Sequence, residues 1–322
     1  PLSIVMADVN GLKLTNDAFG HTVGDALLVN VADVLRSVVG DAGICARLGG
    51  DEFAVLLPNT DSSDAQKMIS KIRKAAAERK VADLKLSTSF GWETREMLGR
   101  PMADVLKRAE DRMYKQKLLE RSSYRAETIS VILQSLYEKI PSEEKHAKRV
   151  AELCALLGEA LDLYPEQVEK LYTIGLLHDI GKISIDPQLL EKPEPLTAEE
   201  YADICRHSEI GYRIVGAMSD MVDVSEYILS HHERFDGEGY PRGLQGRQIP
   251  YYARIVAVAD AWDAMTSSRP YREPLSLDAV ALELERGAGA QFDPRIVEVF
   301  LTEVLPKLAV LETAAGEDTM NE

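Results

Sequence analysis

The sequence predicts a multidomain chain: an α/β segment first, then a segment built almost entirely of helices. Three patterns carry that expectation. Up to about residue 95, short apolar runs alternate with stretches of helical spacing. From Pro101 to Ile140 the helical character is almost unbroken, and beyond Ser142 strand signals largely vanish. With 322 residues there is length enough for two domains, each with its own core.

Taken in order, Leu2–Ala7 is an apolar run that reads as a strand ending at Asp8. Residues 23–39 carry Leu27, Leu28, Val31, Val34, Leu35 and Val38 at helical spacing. Ile44–Leu48 and Phe53–Leu57 read as two strands joined by a hairpin turn at Gly49–Gly50–Asp51–Glu52. Asp61–Lys80 reads as a helix and Leu84–Phe90 as a strand. Pro141 stops the long helix, because its ring removes an amide donor. Ser142 then reads as a helix N-cap, with Glu143 and Glu144 in the first turn. Leu153, Leu156, Leu157 and Leu161 mark that helix. After the proline-rich loop at 193–195, Thr197-Ala-Glu-Glu200 is a capping-box start. The four glycines of the 235–246 stretch mark a loop, and the tail beyond Leu311 is small and acidic. The expected divisions are an α/β domain over 1–122, a helical linker over 123–141, a helical domain over 142–311 and an acidic tail over 312–322. No internal repeat is present.

Composition narrows the partners. A net charge of −16 argues against DNA or RNA, but not against a small nucleotide whose phosphates meet bound cations. Three widely spaced cysteines, Cys45, Cys154 and Cys205, form no CxxC pair and read as buried thiols in a reducing cytoplasm. No apolar stretch reaches the roughly 20 residues that span a bilayer. The chain opens on Pro1 and enters a strand at once, which reads as an excerpt with a sensory segment upstream.

The chemistry-bearing pattern lies in the second half. All but one of the six histidines fall in a series with two aspartates: His146, His178–Asp179, His207, His231–His232 and Asp260. Imidazole nitrogens with carboxylate oxygens are a transition-metal ligand set. Adjacent residues on a helix point about 100° apart, so each pair faces one small site only at a helix end, or when its members serve different ions. Gly181 suggests such an end after His178–Asp179. A carboxylate can bridge two cations, so seven ligands with Asp179 as the bridge suit a metal pair. Lys182, one turn away, is placed to stabilise negative charge on a phosphate.

His178-Asp-Ile-Gly-Lys182 and His231-His-Glu-Arg-Phe-Asp-Gly-Glu-Gly-Tyr-Pro241 resemble the two signature segments of the HD-GYP family. The resemblance continues through Ile249-Pro, Ala253-Arg-Ile, Val258-Ala-Asp260-Ala-Trp-Asp263-Ala, Arg269-Pro-Tyr-Arg272 and Phe292-Asp-Pro294, covering roughly residues 142–302. It implies an all-α domain that hydrolyses cyclic di-GMP to the linear dinucleotide pGpG or to GMP. It further implies His146, His178, Asp179, His207, His231, His232 and Asp260 as metal ligands and Lys182 as the catalytic lysine. Tyr240, Arg269 and Arg272 would contact substrate. Three-metal members carry a glutamate four residues before the first histidine; that position is Ser142 here, so two metals are expected, iron or manganese in preference to zinc. Taken singly, His146 or His207 would read as an ordinary core histidine, Arg269 as a surface arginine, and the glycines of 237–246 as turn formers. Packing and substrate stacking are equally open for Tyr240.

In the first half, Asp8 at a strand end and Asp51–Glu52 at the hairpin tip would bring carboxylates within reach of one hard cation such as Mg²⁺. Gly49 and Gly50 would let a nucleotide approach the backbone. Asp8-Val-Asn-Gly-Leu-Lys13, Asn16-Asp-Ala-Phe-Gly-His21, Gly24-Asp25, Gly49-Gly-Asp-Glu-Phe53 and Tyr114–Lys117 with Arg121 resemble the GGDEF family of diguanylate cyclases. The resemblance implies a cyclase-like fold with a mostly antiparallel central sheet. It implies Asp8 and Asp51 on Mg²⁺, Glu52 as catalytic or metal-associated, Asn16 and Asp25 on guanine, and Lys13, Lys117 and Arg121 on the phosphates of GTP. On residues alone, Lys117 and Arg121 are also a solvated helix face, and Asn16 a turn cap. Gly40 and Gly43 stand where the family has its Arg-x-x-Asp product-inhibition motif, so inhibition through that site is not expected.

The expectation is therefore a cyclic di-GMP phosphodiesterase regulated by a GTP-binding GGDEF domain, working as a homodimer. A bifunctional synthase–hydrolase and a non-catalytic nucleotide receptor are the alternatives, and cyclic GMP–AMP is an alternative substrate.

Overall fold

The computed structural model describes residues 1–96, 100–190, 192–218, 221–267 and 274–310, and the side chains of all of these except 121–123. The expected acidic tail, Arg269 and Arg272, and the Arg121 side chain lie outside the described residues. The chain forms two compact units, Pro1–Ile132 and Leu133–Glu322.

The first unit contains strands β1 (Leu2–Val9), β2 (Ile44–Gly49), β3 (Glu52–Pro58), β4 (Lys80–Val81), β5 (Leu84–Lys85) and β6 (Thr88–Arg95). Its helices are α1 (Leu12–Phe19), α2 (His21–Val39), α3 (Ser62–Ala77) and most of α4 (Met102–Lys139), which runs unbroken through the expected 122/123 division. The main sheet has the order β2-β3-β1-β6, and every pairing in it is antiparallel. β1 is central and apolar on both faces. Val5, Ala7 and Val9 pack with Leu27, Val31 and Leu35 of α2 and Ile69 and Ile72 of α3, whereas Ile4 and Met6 pack with Val105, Ala109 and Met113 of α4. This two-residue alternation gives an α/β/α sandwich.

The expected strand over Leu84–Phe90 is corrected: it divides into β5 and β6. Ser87 gives its carbonyl to the amide of Asn10, and Leu86 gives its amide to Arg79, so the backbone between them leaves the sheet direction. α1 is an element the sequence reading lacked. Its eight residues carry four polar side chains (Lys13, Thr15, Asn16, Asp17) between glycine ends, so no long apolar periodicity marks it.

The second unit is helical: α5 (Pro141–Ala160), α6 (Pro165–Leu177), α7 (Pro187–Leu190), α8 (Ala198–Cys205), α9 (His207–Gly216), α10 (Val222–Leu229), α11 (Tyr251–Thr266), α12 (Leu277–Gly287) and α13 (Pro294–Val299). The reading of Ser142 as the N-cap is also corrected: Ile140 caps α5 and Pro141 occupies its first turn, where no amide partner is needed. The Thr197 capping box forms as expected, with Glu200 N donating to Thr197 Oγ1 and Thr197 N to Glu200 Oε2. No helix among the described residues is long and apolar enough to cross a membrane.

Candidate metal centre

The adjacent ligand pairs escape helix geometry as their spacing required. α6 ends at Leu177, with His178 as its C-cap and Asp179 leading into the 3₁₀ turn Ile180–Ser184. α10 ends at Leu229, and His231–His232 follow in a turn. His207 opens α9, His146 lies in the second turn of α5, and Asp260 lies within α11. Small residues let these backbones approach. A Cβ on Gly175 would lie 2.8 Å from Ala151 Cα, and one on Gly181 would fall on the His207 carbonyl and 2.6 Å from Gly211 N. Gly181 therefore permits close packing of the 3₁₀ turn on α9, and its φ is not left-handed as a helix-ending glycine's would be.

The seven side chains form two groups of donor atoms. Asp179, His207, His231 and His232 make one; His146, His178 and Asp260 make the other. The Asp179 carboxylate faces both. Its Oδ1 lies 3.3 Å from His207 Nε2 and 4.0 Å from His231 Nε2; its Oδ2 lies 3.5 Å from His146 Nε2 and 3.1 Å from His178 Nε2. Asp260 Oδ1 is 3.3 Å from His146 Nε2. Metal–ligand bonds of about 2.1 Å put neighbouring ligands roughly 3.0–3.4 Å apart, so most of these separations suit donors around a cation. His178 Nε2 and Asp179 Oδ1 are buried without hydrogen-bond partners, an arrangement costly in a protein interior unless something else satisfies them. The donor set fits metal ions.

The backs of the imidazoles are also fixed. Nδ1 of His178, His207 and His231 each meet the carbonyl three residues earlier, of Gly175, Ile204 and Ile228, at 2.6–2.7 Å. Each such bond leaves Nε2 free to point inward. His146 differs: its Nδ1 lies 2.7 Å from Asp263 Oδ2. Asp263 is itself held by Arg149, through Nε–Oδ1 at 2.5 Å and Nη2–Oδ2 at 3.0 Å. In the sequence Asp263 lies within a motif that gives it no role, and no motif marks Arg149. The signal was the i,i+3 spacing of Asp260 and Asp263 on α11, matched by His146 and Arg149 on α5.

Charge is distributed unevenly. Burial pushes His146 down, but Asp179, Asp260 and Asp263 together hold it well above the usual histidine range. Burial also lowers His178, and Asp179 and Asp260 more than reverse that. His207 and His231 are lowered, chiefly by burial, and His232 falls to about 3 through burial and the neighbouring His207. Burial opposes the Asp179 charge, yet His178, Lys182 and His146 hold its carboxyl well below the usual range.

Lys182 Nζ lies 2.7 Å from Asp179 Oδ2 and donates to both oxygens of Glu143 at 3.0 and 3.2 Å. Glu143, His146 and Asp179 also bring donor atoms together, and the Lys182 ammonium already serves the two carboxylates there. The Tyr240 ring tilts over His232 with centroids 4.9 Å apart, and Tyr201 approaches it edge-on. The glycine loop is organised by buried Glu233, which accepts from the amides of Arg242 and Leu244. Of its glycines, Gly237, Gly243 and Gly246 are left-handed turn formers, whereas Gly239 gives close passage beside Arg234 and Glu233. A cavity of ≈ 340 Å³ opens beside His232 and Asp260, walled by Ala257, Ala261, Ala264, Met265 and Phe292.

In the first unit, strand pairing sets Asp8 opposite Glu52, and the Val9 amide donates to the Asp51 carbonyl. Lys117 Nζ lies 2.7 Å from Asp8 and 3.9 Å from Asp51, so it sits on the carboxylates. Burial raises the Asp8 carboxyl, and the Lys117 hydrogen bond opposes that. Gly50 is left-handed at the hairpin tip, beside Gly49 at the end of β2. Asn16 packs against Gly24, where a Cβ would collide with its amide. Lys13, Asp25 and Glu52 are exposed. Asp25 lines a separate cavity of ≈ 310 Å³ with Arg36 and Arg47.

Helices here gather histidines and aspartates into groups that could hold metal ions, and the chain belongs to the HD-domain family, whose model matches residues 130–296. Residues 1–123 match the model of the diguanylate cyclase GGDEF domain. The chain is 40% identical over 177 residues to the cyclic di-GMP phosphodiesterase response regulator RpfG of Xanthomonas campestris, covering 54% of this chain and 47% of that protein. It is 42% identical over 159 residues to a cyclic di-GMP phosphodiesterase of Thermotoga maritima, covering 49% and 43%. It is 44% identical over 136 residues to the 3′3′-cGAMP-specific phosphodiesterase 1 of Vibrio cholerae, covering 42% and 32%. The matches span less than half the length of these relatives.

Proposed function

We propose that the second unit is a metal-dependent phosphodiesterase that opens cyclic di-GMP to pGpG or GMP, with cyclic GMP–AMP as the competing substrate. One observation carries this reading: the two oxygens of Asp179 face separate groups of imidazoles. In this reading His146, His178 and Asp260 would hold one ion and His207, His231 and His232 the other, with Asp179 shared by both groups. Iron or manganese suits this His/carboxylate set. Bound cations supply activated water and neutralise charge on the attacked phosphate. Lys182, kept protonated by Asp179 and Glu143, is placed to stabilise the departing oxygen. Its engagement with Glu143 favours two ions over three. Tyr240, tilted over His232, and the cavity beside His232 and Asp260, whose wall mixes Met265 and Phe292 with Glu233, Arg234 and Gln291, offer a seat for a base. Arg269 and Arg272 are proposed phosphate contacts on sequence grounds.

The first unit is proposed to bind GTP with Mg²⁺. Asp8 and Asp51 would take the ion, with Glu52 as the catalytic or metal-associated carboxylate. Lys13, Lys117 and Arg121 would take the phosphates, Asn16 and Asp25 the guanine, and Gly49–Gly50 would admit the nucleotide to the backbone. GTP binding would regulate the hydrolase within a cytoplasmic homodimer. The alternative of an active cyclase would appear as cyclic di-GMP made from GTP once Lys182 and the His178–Asp179 pair are disabled.

The test is product chromatography with cyclic di-GMP, using metal-free protein reloaded with Mn²⁺ or Fe²⁺. The linear dinucleotide or GMP should form only after reloading. Unchanged cyclic di-GMP alongside consumed cyclic GMP–AMP would transfer the assignment to the latter, and no turnover of either would end the hydrolase reading.

A further inference from the structure

We propose that Asp263 is a positioning residue that makes the two metal positions unequal, so that the ion beside His146, His178 and Asp260 is bound more tightly than its partner. The inference rests on the metal-pair reading. It starts from an asymmetry among the imidazole backs: His178, His207 and His231 lean on neutral backbone carbonyls, whereas, among the described residues, only His146 leans on a carboxylate.

A carboxylate accepting the Nδ1 proton pulls it away from the ring and pushes electron density toward Nε2. The imidazole becomes a more basic donor and is held in one tautomer and one orientation. Asp263 is 2% exposed, so water competes little for that bond. The charge inventory points the same way. The His146 position has Asp260 as a direct ligand, a share of Asp179, and Asp263 behind. The opposite position has three imidazoles and only its share of Asp179.

Arg149 moderates this arrangement. Its guanidinium binds both Asp263 oxygens and also reaches Ser267 Oγ at 2.7 Å. The Asp263 charge is thereby largely balanced at long range, while its hydrogen bond to His146 persists. Asp263→Asn cannot reproduce the pattern. Four donors (His146 Nδ1–H, two from Arg149 and the Ser267 hydroxyl) converge on two carboxylate oxygens, and an amide offers one oxygen and a donor group instead. Its NH₂ must oppose either Arg149 or the imidazole, and in the second case the His146 proton is forced onto Nε2, where the metal should bind.

The experiment is calorimetric titration of the metal-free full chain with Mn²⁺, alongside a folding check by circular dichroism. Wild type should take two ions in two separable steps. In Asp263→Asn the tighter step should weaken roughly 10- to 100-fold, the usual cost of losing such an outer partner, with the weaker step unchanged. In Arg149→Gln, which leaves the carboxylate in place without its counter-charge, the tighter step should be no weaker than wild type. Unchanged affinities in Asp263→Asn, or a shift confined to the weaker step, would overturn the inference. So would Arg149→Gln weakening the tighter step as much, since the pair would then be only a structural clamp. Binding of fewer than two ions by wild type would instead defeat the metal-pair reading beneath it.

Discussion

His232 and His146 face the same centre with opposite proton affinities, and that contrast sets how the metal-free protein responds to acid. Burial and His207 hold His232 near 3, against an ordinary histidine value of about 6.5. Between those values the unfolded chain carries a proton that the folded one refuses, so stability falls as pH drops through that window. His207 and His231 act in the same direction. His146, held above its ordinary value, contributes fully below pH 6.5 and loses its contribution only as pH rises through its elevated value. Thermal unfolding of metal-free protein should therefore give a lower Tm at pH 5 than at pH 7, and His232→Asn should flatten that slope; an equal slope would contradict the assignment. Burial also drives the Cys154 thiol up, and its side chain is fully enclosed. Iodoacetamide on the native protein at pH 8 should label Cys205 before Cys154, and labelling of Cys154 first would show the core to be open. The imidazoles were legible in the sequence because histidine is scarce and theirs are grouped. Asp263 and Arg149 were not, because aspartate and arginine are common on helix surfaces and only the crossing of α5 with α11 brings these two together.

Among the elements, the 3₁₀ turn after α6 depends on contact between backbones. Because the atoms facing Gly181 belong to the backbone of α9, an added methyl cannot be accommodated by a rotamer change. Gly181→Ala should cost about 3 kcal/mol, the upper part of the usual range for overpacking, and should separate Asp179 from His207. A drop in Tm together with loss of bound metal is the expected outcome; a variant with wild-type Tm and metal content would contradict the packing. Helices with long apolar periodicity (α2, α3, α4, α5) and the β2–β3 hairpin could be read from the residues. The short and polar α1 could not, nor the break between β5 and β6, because Leu84, Leu86 and Phe90 keep strand alternation through a backbone that turns to bond Arg79 and Asn10. Ser142 misled because a good capping residue followed Pro141, while proline itself fits the first helical turn.

At the scale of the molecule, two units carry two separate sets of carboxylates, and each set was visible as a motif before any coordinates. The metal centre demands convergence of five helices or their ends, which no local pattern states. The scarce, grouped histidines and their two aspartates suggest the ligand set, and the resemblance to a family adds the role of each position. If the first unit regulates the second, hydrolysis of cyclic di-GMP should change in rate or affinity when GTP and Mg²⁺ are added, and Asp8→Asn should abolish the change. Identical kinetics with and without GTP would remove the regulatory proposal and leave the hydrolase intact. The bridging role of Asp179 is the point on which the hydrolase depends. X-ray absorption on Mn- or Fe-loaded protein should reveal metal–metal scattering at about 3.5–4 Å in wild type, and none in Asp179→Ala. Two bound ions without that vector in wild type, or the same vector retained in Asp179→Ala, would contradict the account.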